Sequence, residues 1–298
     1  MSIEEPAPEV APEPAPAATR DRPAHQRFGR WLRRNPLGTL GLGLVVLIGL
    51  AGILAPLIAP YAPEAQNIAN TFDGPTSEHL LGTDDLGRDV LTRVLYSARV
   101  SMGAALFAVA VGLAIGIPVG LIGGYVGGLV DSVLMRGVDG LLSIPALLLA
   151  IAVTGALGPN LRNAMLAVGI IFSPIFARLI RGQVLSIKSV AYLEAARLFG
   201  GRSWWIIGRH VVPNTFQPIV VQSAILLGVA LIAEASLSFL GLGVQPPQAS
   251  WGSMLARAQR YMTIHPWMML PPGFAIALTV LGFNLFGDAL RDTLDPDD

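Results

Sequence analysis

The stretch Tyr192-LEAARLFGGRSWWIIGRHVVP-Asn214 is polar and basic, yet it lies between two runs, 164–180 and 216–240, that are long and apolar enough to cross a membrane. Good helix formers run from Glu194 to Phe199. Gly200-Gly201 then interrupts, and Ser203 is placed to cap a second short helix that ends before Pro213. In that second helix Trp204, Ile207 and Val211 share one face while Arg202 and Arg209 stay polar. Such a helix-break-helix fits a knob pressed into a groove of a soluble partner. It equally fits a loop resting on lipid headgroups, where Trp and Arg are also at home.

Composition sets the class around this segment. The chain has 298 residues, of which 53% are hydrophobic and only 13% charged; mean hydropathy is +0.59. These values are too apolar for an ordinary soluble domain and imply a polytopic membrane protein. Net charge is formally zero and no cationic run is interleaved with aromatics, so nucleic acid is not expected as a partner. With no cysteine, disulfides, thiol catalysis and thiolate metal sites are excluded. His25, His79, His210 and His265 are scattered and form no HExxH, so no metal site is expected.

Six spans are read from the charge-poor runs 37–59, 100–123, 133–157, 164–180, 216–240 and 267–286. A cytoplasmic tail, 1–36, precedes them. Residues 1–19 are rich in Pro, Ala and Glu and should be disordered, whereas 20–36 are basic and carry Phe28, Trp31 and Leu32 at near-helical spacing, as a surface amphipathic helix would. The first span is followed by an extracytoplasmic loop, 60–99, and by a core of five spans over 97–288 that includes the cytoplasmic loop 181–215; a short tail, 289–298, ends the chain. Gly103, Ala104, Ala105, Ala108, Ala110, Gly112, Gly116 and Gly120 give the second span the small-residue surface of a bundle helix. Arg20, Arg22, Arg27, Arg30, Arg33 and Arg34 precede the first span, and Arg178, Arg181, Lys188, Arg197, Arg202 and Arg209 lie between the fourth and fifth. The excess of cations on these two segments makes their side, and both termini, cytoplasmic.

Three further groups carry charge into or near the bilayer. Thr83 reads as the start of a loop helix, with Asp84 and Asp85 in its first turn and with Asp84–Arg88 and Asp89–Arg93 as exposed pairs four apart. The set is open to two uses, internal ion pairing and direct contact with a protein outside the membrane. Glu234, deep in the fifth span, costs at least ~2.5 kcal/mol if ionised near the bilayer centre, so it should face the bundle interior or a water-filled path. Asp131, Arg136 and Asp139 lie at the start of the third span, for mutual pairing or for coupling motion.

Several of these residues also fall into the patterns of a known family. Glu194-Ala195-Ala196, three residues, Gly200 and a long interval to Pro213 resemble the EAA loop of bacterial ABC importer permeases, EAA-x3-G-x9-I-x-L-P, with His210 and Val212 at its two apolar positions. Arg209-His210-Val211-Val212-Pro213-Asn214 resembles the RHILPN form found in the C subunit of dipeptide and oligopeptide permeases. Three further stretches resemble the same branch: EHLLGTDDLGRDVLTRVLYSAR at 78–99, ASLSFLGLGVQPP at 235–247 followed by Trp251-Gly252, and FNLFGDALRD at 283–292 followed by Leu294-Asp295-Pro296.

The resemblance implies an all-α, six-span permease of the type I ABC importer fold, moving di- or oligopeptides or a related small solute across the cytoplasmic membrane. It implies three kinds of protein partner besides the membrane lipid: a homologous B-type permease, two cytoplasmic ATPases that bind ATP and Mg, and an extracytoplasmic solute-binding protein. Glu194, Ala195, Ala196, Gly200, Arg209, His210 and Pro213 would then couple this chain to the ATPases. The chain has no GxxxxGK[ST] loop of its own, so ATP hydrolysis belongs elsewhere and no cofactor is expected here. A secondary transporter is the alternative, although it would call for inverted repeats and more intramembrane charge. A membrane enzyme using Glu234 as its acid is the third reading.

Overall fold

The computed structural model describes residues 34–188 and 212–294, together with Leu32 and Arg209. The tail 1–36 and the last residues, 295–298, therefore fall almost wholly outside it. Among the described residues, helices make up the architecture and the only bridge is an isolated antiparallel one between Thr83 and Asp89. Among the described residues five helices are long and apolar enough to cross a membrane, and one bent pair raises the number to six.

Helix α1 (Pro36–Ile53) runs into a single further turn, α2 (Ala55–Ile58). After a long loop comes α3 (Val90–Val126), whose first turn is capped by Asp89, the side chain accepting from the Thr92 amide at 2.7 Å. At 37 residues and ~1.5 Å per residue α3 is about 55 Å long, well over the ~30 Å thickness of a hydrocarbon layer. The expected helix start near Thr83 is thus corrected to Val90. Residues 82–89 form a tight loop, with Gly82 and Gly87 at φ +74° and +65°. A Cβ on Gly87 would stand 1.8 Å from the Asn67 carbonyl oxygen, which leaves room only for glycine.

The third span is broken. In place of one helix over 133–157 the chain forms α4 (Gly128–Leu142) and α5 (Ala146–Leu157), bent by 89°. Pro145 causes the break, because it lacks an N–H and forces Ile144 out of the helical region. Hydropathy reads through such a bend. Then follow α6 (Leu161–Lys188), α7 (Val212–Phe239), a short α8 (Trp251–Gln259) that the sequence reading did not anticipate, and α9 (Leu270–Leu294). Ser250 caps α8 in a reciprocal pair with Ser253.

Close approach of α3 and α6 forms the centre of the bundle. Gly112, Gly116, Gly120 and Gly124 recur every four residues along α3, and Cβ atoms there would lie 2.9, 2.6, 2.6 and 2.8 Å from Phe172, Phe176, Ala177 and Val184 of α6. In lipid, contact of this kind takes the place of the hydrophobic drive that holds soluble helices together. Ala104, Ala105 and Ala108 are buried as well, whereas Gly103 and Ala110 face outward. The first and last spans meet in the same way, Gly41 against Gly282. Asn35 donates to Thr293 Oγ1 at 3.4 Å, so the beginning of α1 and the end of α9 lie together, at the end of the bundle where α6 stops and α7 begins.

Candidate functional site

Glu194, Ala195, Ala196, Gly200 and His210 lie outside the described residues, so the geometry around them comes from the two helices that border segment 189–211. Arg209 and Pro213 are described and exposed. Pro213 lies in the first described turn of α7, and the short helix that the sequence reading ends before it lies outside the described residues.

The end of α6 is held by three cations. Arg181 forks onto Asp131 of α4, Nε to Oδ1 at 2.5 Å and Nη2 to Oδ2 at 2.6 Å. Arg178 reaches Asp139 of α4 at 2.6 Å, in a pair that is more than half exposed. Lys188 donates to the Tyr125 carbonyl at 2.9 Å and stands over its ring. The acids of the third span therefore pair with the fourth span, and the expected use of Arg136 is corrected: that residue is exposed.

At the opposite end the loop charges fold inward. Asp84, Arg88, Asp89 and Arg93 are 5, 3, 4 and 5% exposed, against the expectation of pairs on an exposed helix. Asp84 Oδ1 accepts from the amides of Leu86 and Arg88 at 2.9 and 3.0 Å, and its Oδ2 accepts from Arg88 Nε at 2.7 Å. Arg93 leaves its expected partner Asp89: its Nε lies 3.6 Å from Asp84 and its Nη1 donates to the Pro63 carbonyl at 3.0 Å. Asp89, besides capping α3, meets His79 Nδ1 at 2.9 Å. Asp85 stands nearest the surface, paired with Arg257 of α8 at 3.2 Å. Arg88, Arg93, Arg257, Pro246, Pro247 and Met254 line a crevice beside it.

Glu234 is 1% exposed and lies at the meeting point of α7, α3 and α8. Ser238 donates to its Oε1 at 2.7 Å and Ser101 to its Oε2 at 3.2 Å, while the Ser250 hydroxyl and the Gly252 amide complete the set. Four neutral donors thus compensate one buried carboxylate, which meets the cost of burial without a cation. Glu234 lies five residues before the end of α7, where that helix meets α3 and α8. Ser101 and Ser250 were missed by sequence reading, since they lie 133 and 16 residues away. Ser238, one turn along the same helix, was the legible partner.

Comparisons with known proteins agree with this architecture. The family described as "Binding-protein-dependent transport system inner membrane component" matches residues 116–297, and the "N-terminal TM domain of oligopeptide transport permease C" matches residues 25–75. The dipeptide transport system permease protein DppC of Alkalihalophilus pseudofirmus is 41% identical, over 99% of each chain. A probable D,D-dipeptide transport system permease of Escherichia coli is 41% identical over 89% of each, and a glutathione transport system permease of Pectobacterium atrosepticum is 44% identical over 92% of this chain and 91% of its own. The MetNI methionine ABC transporter, in an inward-facing conformation, superposes with a TM-score of 0.56 at 18% identity, covering 69% of this chain and 97% of the matched one. With five or six spans around a glycine-lined centre, and near full-length identity to such permeases, the chain belongs to the family of inner membrane components of binding-protein-dependent transport systems.

Proposed function

We propose that this permease subunit carries short peptides, or solutes of similar size with peptide-like amide and carboxylate groups, across the inner membrane. One observation carries the reading: relatives at 41–46% identity over most of the chain are named for dipeptide, D,D-dipeptide and glutathione transport. In this scheme a homologous permease completes the pathway and two cytoplasmic ATPases bind ATP and Mg. An external solute-binding protein delivers the substrate. Segment 189–211 faces the ATPases, both termini share its cytoplasmic side, and Glu194, Ala195, Ala196, Gly200, Arg209, His210 and Pro213 form the coupling element.

The opposite end then receives the binding protein. Asp84, Arg88, Asp89 and Arg93 act there by fixing the shape of the loop, since their side chains are buried, while Asp85 and Arg257 present charge at the rim. Glu234 fastens α8 beside the pathway. The test is reconstitution of the chain with its neighbouring gene products in liposomes, with radiolabelled dipeptide supplied on the binding protein. Uptake should require ATP and all subunits. Uptake driven by a proton gradient through this chain alone would overturn the reading in favour of a secondary transporter.

A further inference from the structure

Helix α4 is loosely held by apolar contact. Of its fifteen residues only Val138 is buried, and Leu129 and Val133 are 81 and 61% exposed. Between it and its neighbours runs an open crevice lined by Ile115, Val119, Val133, Gly137, Leu141 and Pro174. Both ends of α4 are joints. Gly127, just before it, and Gly128, its first residue, have φ of +75° and +59°, and the 89° bend at residues 143–145 follows it.

Its polar edge, by contrast, is pinned to α6. The Arg181 guanidinium meets the Asp131 carboxylate at two points, Nε to Oδ1 and Nη2 to Oδ2, and a two-point fork resists sliding and rotation better than a single ion pair. Arg181 is two turns from Lys188, the last residue of α6 before segment 189–211. Any displacement of that segment therefore reaches Arg181 through a continuous helix, and leaves α6 for α4 through the fork.

We propose that Asp131–Arg181 is the clamp through which movement of segment 189–211 is passed to α4, so that α4 swings as a rod between its two joints and carries the broken third span with it. Arg178–Asp139 is a weaker second point on the same edge. The proposal rests on the reading of segment 189–211 as the ATPase coupling element. Asp131 and Arg181 are positioning residues: they touch neither substrate nor ATP.

The experiment uses the complete reconstituted transporter with Asp131→Asn, Arg181→Gln, Arg181→Lys and the double Asp131→Asn/Arg181→Gln. Each is measured for assembly, ATP hydrolysis and uptake per ATP hydrolysed. Because the chain lacks cysteine, spin labels at Val133→Cys and Leu185→Cys also report the α4–α6 distance. The single neutral variants should assemble and hydrolyse ATP while uptake per ATP falls at least fivefold. Arg181→Lys, which keeps the charge and loses the fork, should fall between them and the wild type, and the distance distribution should broaden in step. The double variant should be no worse than the poorer single, as for two ends of one interaction. Unchanged uptake per ATP in either single, or losses that multiply in the double, would overturn the clamp. Absence of ATP-driven uptake in the wild-type transporter would instead overturn the functional reading, and an unchanged α4–α6 distance in the variants would still overturn the clamp by itself.

Discussion

Ser101 Oγ lies 3.2 Å from Glu234 Oε2 and also accepts the Trp251 amide at 3.1 Å, so one hydroxyl joins three elements far apart in sequence. The direction of each bond is fixed. Having accepted from Trp251, the serine has its proton free for the carboxylate. Trp251 is 1% exposed, and its indole N–H is spent on the Val94 carbonyl at 3.0 Å, which leaves α8 anchored at two points on α3.

Removing the carboxylate should therefore loosen α8. Glu234→Ala leaves the donors of Ser101, Ser238, Ser250 and Gly252 without an acceptor, and each such buried group costs about 1–3 kcal/mol. Ser101→Ala removes one of the four donors and also strands the buried Trp251 amide, so it should cost about 2–4 kcal/mol, less than Glu234→Ala. Thermal unfolding of the purified transporter, read by intrinsic tryptophan fluorescence, gives the comparison. Equal melting of Glu234→Ala and wild type would mean that the network does not hold α8.

Two adjacent aspartates should differ sharply. Asp84 is inside the loop with two amides and two guanidinium groups about it, and Asp84→Asn strands Arg88 and Arg93 at a cost of roughly 3–5 kcal/mol. Asp85 faces a partly exposed Arg257, so Asp85→Asn should cost about 1 kcal/mol or less. Chemical denaturation of the two variants in detergent checks the order, and comparable losses would contradict it.

That contrast also marks where sequence reading stopped. Hydropathy located the apolar part of each long helix, because lipid imposes the same requirement on each run of apolar side chains, but α3, α6 and α9 run eight to ten residues beyond the runs read from sequence. The small-residue repeat of α3 was legible for the same reason. What hydropathy lacks is any cost for a missing N–H, so Pro145 passed unnoticed inside an apolar run. Charge spacing misled at residues 84–93, where i to i+4 pairs suggested a helix; Gly82 and Gly87 turn the chain instead, and Asp84 collects both arginines. Segment 189–211, proposed as the coupling element, rests on its motif alone, and the contacts at the end of α6 beside it, Arg181 with Asp131 and Lys188 with Tyr125, join residues 50 and 63 apart.

The glycine stripe allows a direct comparison within one helix. A Cβ at Gly116 would fall 2.6 Å from Phe176 Cβ and 2.7 Å from the Ser173 carbonyl oxygen, and backbone oxygen has nowhere to move. Gly116→Ala should cost about 1–3 kcal/mol through overpacking, and Gly116→Leu should abolish the assembled form. Gly103, on the same helix, has nothing within 4 Å, so Gly103→Ala should be tolerated. Yield of monodisperse complex by size-exclusion chromatography separates them, and equal yields for Gly116→Leu and Gly103→Ala would contradict α3–α6 contact as the centre of the bundle.

The coupling segment gives the strictest test of function. Sequence places Glu194 in the first short helix and Gly200 at the interruption, where a β-branched residue adds bulk and restricts the backbone. Neither lies in a span, so neither should affect insertion. Glu194→Lys and Gly200→Val should therefore reach wild-type amounts in the membrane fraction and yet lose ATP-driven uptake of labelled dipeptide. Basal hydrolysis by the ATPase subunits should persist if they still associate, and it should no longer rise when loaded binding protein is added. Normal uptake in both variants would remove segment 189–211 from the coupling route and would leave α6, with its fork to Asp131, without a source of motion.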